Sequence, residues 1–143
     1  MSNREVTDEM HGSHSTRSEG TLGEDFAHKY LSEQGWKILA APYLCNIGEI
    51  DIIALDGEDL VFIEVKSRSS RAYGDPVLAV TRNKQKRIIK TARHFLTNSR
   101  LPAFISCRFD VIGLIPNVNS AGYSVNHIRD AFRLLPEDMA FSY

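Results

Sequence analysis

Apolar residues recur at helical spacing in two parts of the chain. In TLGEDFAHKYLSEQG, the residues Leu22, Phe26 and Leu31 share one face, and Gly35 provides a natural end. In NKQKRIIKTARHFLTN, an apolar stripe lies opposite a face of cationic residues. Both patterns predict amphipathic helices that pack on a core. The stripe of the second helix consists of Ile88, Ile89, Ala92, Phe95 and Leu96.

The remaining apolar segments alternate or run together as β-strands do. The predicted strands are, in order, WKILAAPYL, EIDIIAL, DLVFIEVKSR, RFDVIGLI and the start of YSVNHIRDAF. RFDVIGLI is apolar on both faces beyond Asp110, which favours a central position, and Asp110 is expected to pair with Arg108 or with a helix. We expect YSVNHIRDAF to run into a brief helix, with His127 at a surface position. The order αβββαβ with a small αβ ending predicts an α/β protein with a mixed sheet flanked by helices.

Two charged residues, Glu64 and Lys66, interrupt an otherwise buried strand and share one of its faces. A hairpin around the turn DGED makes the numbers of paired residues sum to 115. Asp51 then lies opposite Glu64, and Glu49 lies opposite Lys66. Because a one-residue slip would move Asp51 and Glu64 to different faces, the register is part of the functional hypothesis.

Opposed carboxylates such as Asp51 and Glu64 require a shifted pKa, a shared proton or a cation. Mg²⁺ prefers oxygen ligands, and Asp51, Glu64 and the Val65 carbonyl supply them. Such an ion, or Mn²⁺ in its place, would polarise a phosphoryl group and activate a water. Lys66 would orient or deprotonate that water and offset charge on phosphorus. If Glu49 instead pairs with Lys66, the lysine is partly neutralised and less suited to act as a base.

Charge is distributed unevenly along the chain. The segment Lys66–Arg100 contains ten Lys or Arg residues and one acid, a balance of +9, whereas the remainder carries −10. A basic block of this kind suits a polyanion such as nucleic acid, and a solvated helix face is the alternative. Arg68, Lys84 and Arg87 are the candidate phosphate contacts.

Composition and the ends of the chain define its organisation. Its 143 residues suit one domain, and its two cysteines form no CxxC pair, which favours a reducing cytoplasm. Residues 1–19 lack apolar periodicity and are expected to form a disordered tail, followed by a single domain over residues 20–143. With no signal core or membrane-spanning run, we expect a cytoplasmic protein without membrane contact.

The candidate site residues carry a resemblance to known families. Asp51 followed after a turn by Glu64-x-Lys66, on strands after a helix, resembles the PD-(D/E)xK nucleases of the restriction-endonuclease-like fold, although Ile50 stands where the name-giving proline would be. From about Gly20, the chain is similar to the YraN-type family of uncharacterised bacterial proteins. The matching segments are GEDFAHKYL, GEIDIIA, VFIEVKSR, the spacing Gly74 to Lys84 to Ala92, and RFDVI.

The resemblance implies a restriction-endonuclease-like αβββαβ core and a Mg²⁺-dependent endonuclease related to Holliday-junction resolvases. It adds Glu24, which matches a helical glutamate of those sites, to the catalytic set Asp51, Glu64 and Lys66. A structural alternative is a capping box in which Glu24 bonds the amide of Thr21. A homodimer would suit an enzyme that cuts two strands, although no stretch of the sequence identifies an interface.

Three functions compete at this point. The first is a metal-dependent nuclease that acts on DNA, including branched or structured DNA. The second is a nucleic-acid-binding protein that keeps the nuclease fold but does not cut. The third is a protein–protein scaffold whose acids form internal ion pairs and whose DNA affinity is weak and insensitive to salt.

Overall fold

A computed structural model describes residues 19–68 and 74–136. The predicted tail, residues 1–19, lies outside the described residues except for Glu19, which begins the first helix. Two long helices, seven strands and a 3₁₀ helix at Pro76–Ala79 make up the described ranges. The helices are α1 (Glu19–Glu33) and α2 (Arg82–Thr97). The strands are β1 (Lys37–Ala40), β2 (Tyr43–Leu44), β3 (Glu49–Ile50), β4 (Ile52–Asp56), β5 (Asp59–Ser67), β6 (Cys107–Pro116) and β7 (Tyr123–Phe132).

Five of the strands form a mixed sheet in the order β1-β4-β5-β6-β7. The pairing of β5 with β6 is parallel, and the other three pairings are antiparallel. The short strands β2 and β3 form a separate antiparallel hairpin. This α/β arrangement agrees with the predicted fold class and is compatible with a restriction-endonuclease-like core. RFDVIGLI lies inside the sheet as β6, while β5 occupies the middle position.

Alternating residues of the central strands cover both faces of the sheet. Phe62 of β5 packs with Phe109 and with Ile88 and Ile89 of α2 in one core cluster. Val61, Ile63 and Val65 point to the other face, where Ala27 and Leu31 of α1 pack. The alternating strand residues and the helical stripes therefore meet as the sequence predicts, except that Leu22 of the predicted α1 stripe is 49% exposed. Within the described ranges, no helix is both long and apolar enough to span a bilayer.

The predicted register of the β4–β5 hairpin is confirmed. Leu55 pairs with Leu60 and Ile52 with Ile63, so the numbers of paired residues sum to 115. The ladder ends at Ile52, because the chain bends at Asp51 before it enters β4. Asp51 thus lies one position beyond the last pair, next to Glu64 on β5.

The last element corrects the sequence prediction, because β7 is a strand throughout and no helix follows its first residues. β7 is bound to the neighbouring strand β6 through Asp110, which is fully buried. The Asp110 carboxylate accepts hydrogen bonds from Arg108 Nε and from the amide of Asp130 on β7, each at 3.0 Å. His127 Nε2 lies 2.8 Å from the same carboxylate, and its side chain is only 6% exposed. The pairing of Asp110 with Arg108 is confirmed, whereas the surface position predicted for His127 is wrong. A buried carboxylate needs these partners, and they hold the segment in the sheet.

Candidate active site

Asp51 occupies the junction between two ladders. β3 pairs with β2 up to Ile50, and β4 pairs with β5 from Ile52 onward. At the junction, Asp51 Oδ2 accepts a hydrogen bond from the amide of Val65 at 2.8 Å. The Asp51 side chain thus satisfies a backbone N–H of β5 at the point where the β4–β5 ladder ends. This bond fixes the Asp51 carboxyl beside the strand that carries Glu64.

Asp51 and Glu64 face each other closely enough to share a hydrogen bond between their carboxyl groups. Glu64 is only 5% exposed. Burial, followed by the charge of Glu64, raises the pKa of Asp51 to about 8, although the Val65 amide opposes the shift. At neutral pH the pair therefore holds a proton. Two carboxyls in this state can exchange their proton for a cation.

Two lysines contact Glu64 from different elements. Lys66 Nζ lies 3.4 Å and Lys84 Nζ lies 3.0 Å from Glu64 Oε2. Burial lowers the pKa of Lys84, but its hydrogen bond to Glu64 and the charges of Glu64, Asp51 and Glu49 outweigh burial and raise the pKa. The site therefore combines buried carboxyls with ammonium groups that are 26% and 37% exposed in side-chain area.

The structure places Lys84, a predicted phosphate contact, beside the acids of the site. Its ammonium group points to Glu64 in the acid cluster. The signal was present in the sequence, because Lys84 precedes Ile88 by four residues and so lies on the sheet-facing side of α2. Arg87 is exposed on another face of α2, and Arg68 follows β5 with its amide bonded to the Leu114 carbonyl at 2.8 Å.

Glu24 lies on α1, which approaches the end of β5 at Gly23. A Cβ at Gly23 would stand 2.3 Å from Ser67 Oγ, so any larger residue at this position would have to displace the Ser67 hydroxyl. Burial, followed by the charges of Glu49, Glu64 and Asp25, raises the pKa of Glu24. Glu24 therefore lies in the field of the same acids. The capping box predicted with Thr21 is wrong, because α1 begins at Glu19 and Thr21 is already inside the helix.

Glu49 does not occupy the ladder position that the register predicted. It pairs with Leu44 in the β2–β3 hairpin instead of lying opposite Lys66 on β5. The bend at Asp51 removes β3 from the main sheet, so the extrapolated pairing with Lys66 is wrong. The ion-pair partner of Lys66 in the structure is Glu64. Glu49 still contributes charge to the cluster, since it acts on both Glu24 and Lys84.

The number of carboxyl groups that lie close together limits which protein ligands a metal ion could have. Among residues 19–68 and 74–136, no group of three or more His, Cys, Asp or Glu side chains is arranged to hold an ion. A cation at this site would rest on Asp51 and Glu64, with oxygens from the backbone, water or substrate. That set is typical of Mg²⁺, which keeps several waters and binds through one or two carboxylates.

The fold and the site together define an α/β protein with a core compatible with the restriction-endonuclease-like fold and an acidic pair, half-buried Asp51 and buried Glu64, at the end of its central hairpin. Residues 23–114 match the uncharacterised protein family UPF0102, and the chain belongs to this family. It is 47% identical over 115 residues to a UPF0102 protein of Syntrophus aciditrophicus, covering 80% of this chain and 88% of the relative. It is 43% identical over 118 residues to a UPF0102 protein of Clostridium perfringens, covering 82% and 96% respectively.

Proposed function

We propose that the protein is a metal-dependent endonuclease that hydrolyses phosphodiester bonds of DNA. The strongest support is the hydrogen-bonded pair of half-buried Asp51 and buried Glu64, with two ammonium groups at Glu64. An ion pair with a lysine would explain Glu64 alone, but placing half-buried Asp51 against a like charge is costly, and a function would explain why that cost is tolerated. Carboxylates that can hold a divalent metal ion, next to ammonium groups that can hold a phosphate, suit phosphodiester hydrolysis.

Asp51 and Glu64 fit a divalent cation because a positive charge relieves the repulsion that now retains a proton on the pair. Asp51, Glu64 and the Val65 carbonyl would hold Mg²⁺ or Mn²⁺. When bound, the ion would polarise the phosphoryl group and make a nearby water more acidic. The carboxyls must release their proton first, so binding is expected to strengthen as pH rises toward 8.

Lys66 and Lys84 act on the phosphate in this proposal. Lys66 follows Glu64 by one pleat on the same face, so its ammonium group reaches both the acid and solvent. There it orients the attacking water and offsets the negative charge that develops on phosphorus. Lys84 brings a second positive charge to the same carboxylate from α2. Glu24, whose pKa is raised by burial and by the charges of Glu49 and Glu64, adds a further carboxyl at the helix side of the site.

DNA is the proposed substrate because the site adjoins the basic segment Lys66–Arg100. Branched or structured DNA, a homodimer that cuts two strands and a cytoplasmic location complete the proposal. The branched substrate and the homodimer rest on the resemblance to Holliday-junction resolvases, and the location rests on the two cysteines that form no CxxC pair.

Cleavage of labelled single-stranded, duplex and four-way-junction DNA in Mg²⁺ or Mn²⁺ tests the proposal. We expect Asp51→Asn to lower the cleavage rate by about 100-fold or more while DNA affinity changes little. Glu58→Gln, at an exposed turn position, serves as the matched control and should cut as wild type does. Equal cleavage by Asp51→Asn and wild type would refute the assignment of the site.

A non-catalytic nucleic-acid-binding protein is the second candidate. It is favoured by the two lysine contacts of Glu64, which satisfy this carboxylate within the protein itself. This function predicts that wild type binds DNA with a steep salt dependence. If purified wild type binds every DNA form in the presence of Mg²⁺ or Mn²⁺ and cuts none of them, the binding function replaces the nuclease.

A further inference from the structure

A groove runs between the β2–β3 hairpin and the outer face of α2. It has a volume of about 500 Å³ and is lined by Ile47, Asn83, Lys86, Arg87 and Lys90. We refer to it as the α2 groove. Its helical residues follow the spacing i, i+3, i+4 and i+7, which places them in one stripe along the helix axis. The groove therefore has one continuous polar and cationic wall, and Ile47 stands on the hairpin side.

The hairpin wall is held firmly against α2. The amide of Cys45 donates to the Gly48 carbonyl at 3.0 Å and closes the turn that carries Ile47. A Cβ at Gly48 would lie 3.0 Å from Thr91 Oγ1 and 3.3 Å from Arg87 Cγ, so the turn backbone rests directly on the helix. The groove thus has the β2–β3 hairpin on one side and α2 on the other, and the two elements pack against each other.

The charge of the α2 groove fits an extended polyanion. Three of its five lining residues are cations, and none is an acid. The sequence of α2, RNKQKRIIKTARHFLT, contains no acid at any position. From Asn83 to Lys90 the helix axis rises about 10 Å, at about 1.5 Å per residue. One strand of B-form DNA carries a charge about every 3.4 Å along its axis, so the groove spans roughly three phosphates.

Both walls of the α2 groove lead to the candidate active site. Asn83 immediately precedes Lys84, whose ammonium group contacts Glu64. The hairpin wall continues through β3 directly into Asp51. Ile47 is 41% exposed and gives the groove an apolar rim suited to a sugar or a base. A bare ion would need no such rim.

We infer that the α2 groove binds the backbone of one nucleic-acid strand over about three phosphates as that strand leaves the candidate active site. The inference deepens the proposed function and rests on it for the path of the strand, but the binding itself is measured without cleavage. Lys86 and Lys90, one helical turn apart, each hold a phosphate of that strand. The stem of Arg87 lies against the Gly48 turn, and the same residue lines the groove.

Fluorescence anisotropy with labelled 20-nucleotide single-stranded and duplex DNA in EDTA tests the groove. The double variant Lys86→Ala/Lys90→Ala should raise Kd about tenfold and reduce the salt slope by roughly 2. The matched control Lys29→Ala/Lys37→Ala removes two exposed cations from α1 and β1 and should bind as wild type does. An equal loss in both double variants would overturn the inference, because it would show dependence on net charge alone. Equal competition by polyglutamate would also overturn it, in favour of an acidic protein partner.

The same variants separate this inference from the proposed function. If wild type cuts DNA and Lys86→Ala/Lys90→Ala binds and cuts normally, the groove is refuted and the nuclease stands. If wild type never cuts but the groove variant alone loses affinity, the groove stands and the nuclease falls. A nuclease with a strand in the groove should also cut poorly when fewer than about three phosphates remain on one side of the bond. Lys86→Ala/Lys90→Ala should remove that length dependence.

Discussion

At the scale of single residues, half-buried Asp51 and fully buried Asp110 have opposite electrostatic surroundings. Asp51 faces Glu64, and burial together with that charge raises its pKa to about 8. Burial would also raise the pKa of Asp110, but hydrogen bonds from His127, the Asp130 amide and Arg108 outweigh it and lower the pKa. The protein thus stabilises the charge of one aspartate and opposes the charge of the other. Only the opposed charge suggests a site that exists for something other than stability.

In EDTA, Asp51→Asn should raise the free energy of unfolding at pH 8. Between about pH 4 and pH 8 the folded state holds a proton that the unfolded state has released, so the acid makes stability fall as pH rises. Asparagine keeps an acceptor for the Val65 amide and can donate to Glu64. One unit of pKa shift corresponds to about 1.4 kcal/mol. We therefore expect Asp51→Asn to be at least about that much more stable than wild type at pH 8, and the gain to shrink at pH 5.

Asp110→Asn is the matched comparison in the same denaturant titrations. It removes a charge that Arg108 and His127 partner, so we expect a loss of about 3 kcal/mol at pH 7. Because the folded pKa of Asp110 is lowered, the stability that its charge contributes is present above the unfolded pKa and is lost as pH falls toward the folded value. A destabilising Asp51→Asn at pH 8 would contradict the assigned electrostatics of the pair.

At the scale of elements, the approach of α1 to β5 brings Glu24 to the acid cluster. The approach depends on Gly23, where a Cβ would stand 2.3 Å from Ser67 Oγ but 3.7 Å from Ser67 Cβ. Gly23→Ala should therefore destabilise the protein by about 1–3 kcal/mol through overpacking. In a Ser67→Ala background the clash disappears, and alanine should then be neutral or stabilising by up to about 1 kcal/mol.

Urea unfolding of the four proteins in this double-mutant cycle provides the measurement. A coupling energy near zero would contradict the close packing of α1 on the end of β5. The cleavage rate of the nuclease should follow the same cycle, because a displaced α1 also displaces Glu24.

The elements also show which parts of the structure are encoded locally. Strand alternation and the turn DGED were sufficient for the β4–β5 register, and they placed Asp51 beside Glu64. The position of Glu49 is not predictable in this way. The β4–β5 ladder ends where the Asp51 side chain accepts a hydrogen bond from the Val65 amide, so the register cannot be extended to Glu49. The last strand was misread because its partners are distant in sequence. Asp110 lies on the preceding strand and binds His127 across the β6–β7 ladder.

At the scale of the whole molecule, the protein separates its charges in space. The acids of the candidate site come from α1, β3, the β3–β4 junction and β5, while the cations concentrate on α2 and after β5. A divalent cation would lower the negative charge of the site where the substrate phosphate must approach. The net charge of −1 conceals this arrangement. Length and composition predicted one α/β domain, but only the three-dimensional structure brings Lys84 to Glu64.

Calorimetric titration of metal-free protein with Mn²⁺ tests the paired-acid site most directly. Wild type and the control Glu58→Gln should bind one ion per chain, with affinity that rises with pH as the pair loses its proton. Asp51→Asn and Glu64→Gln should each abolish that binding while both variants remain folded. Undiminished binding by Asp51→Asn, or folded wild type that takes up no Mn²⁺ at pH 8 with DNA present, would contradict the assignment of these two carboxyls as a metal site.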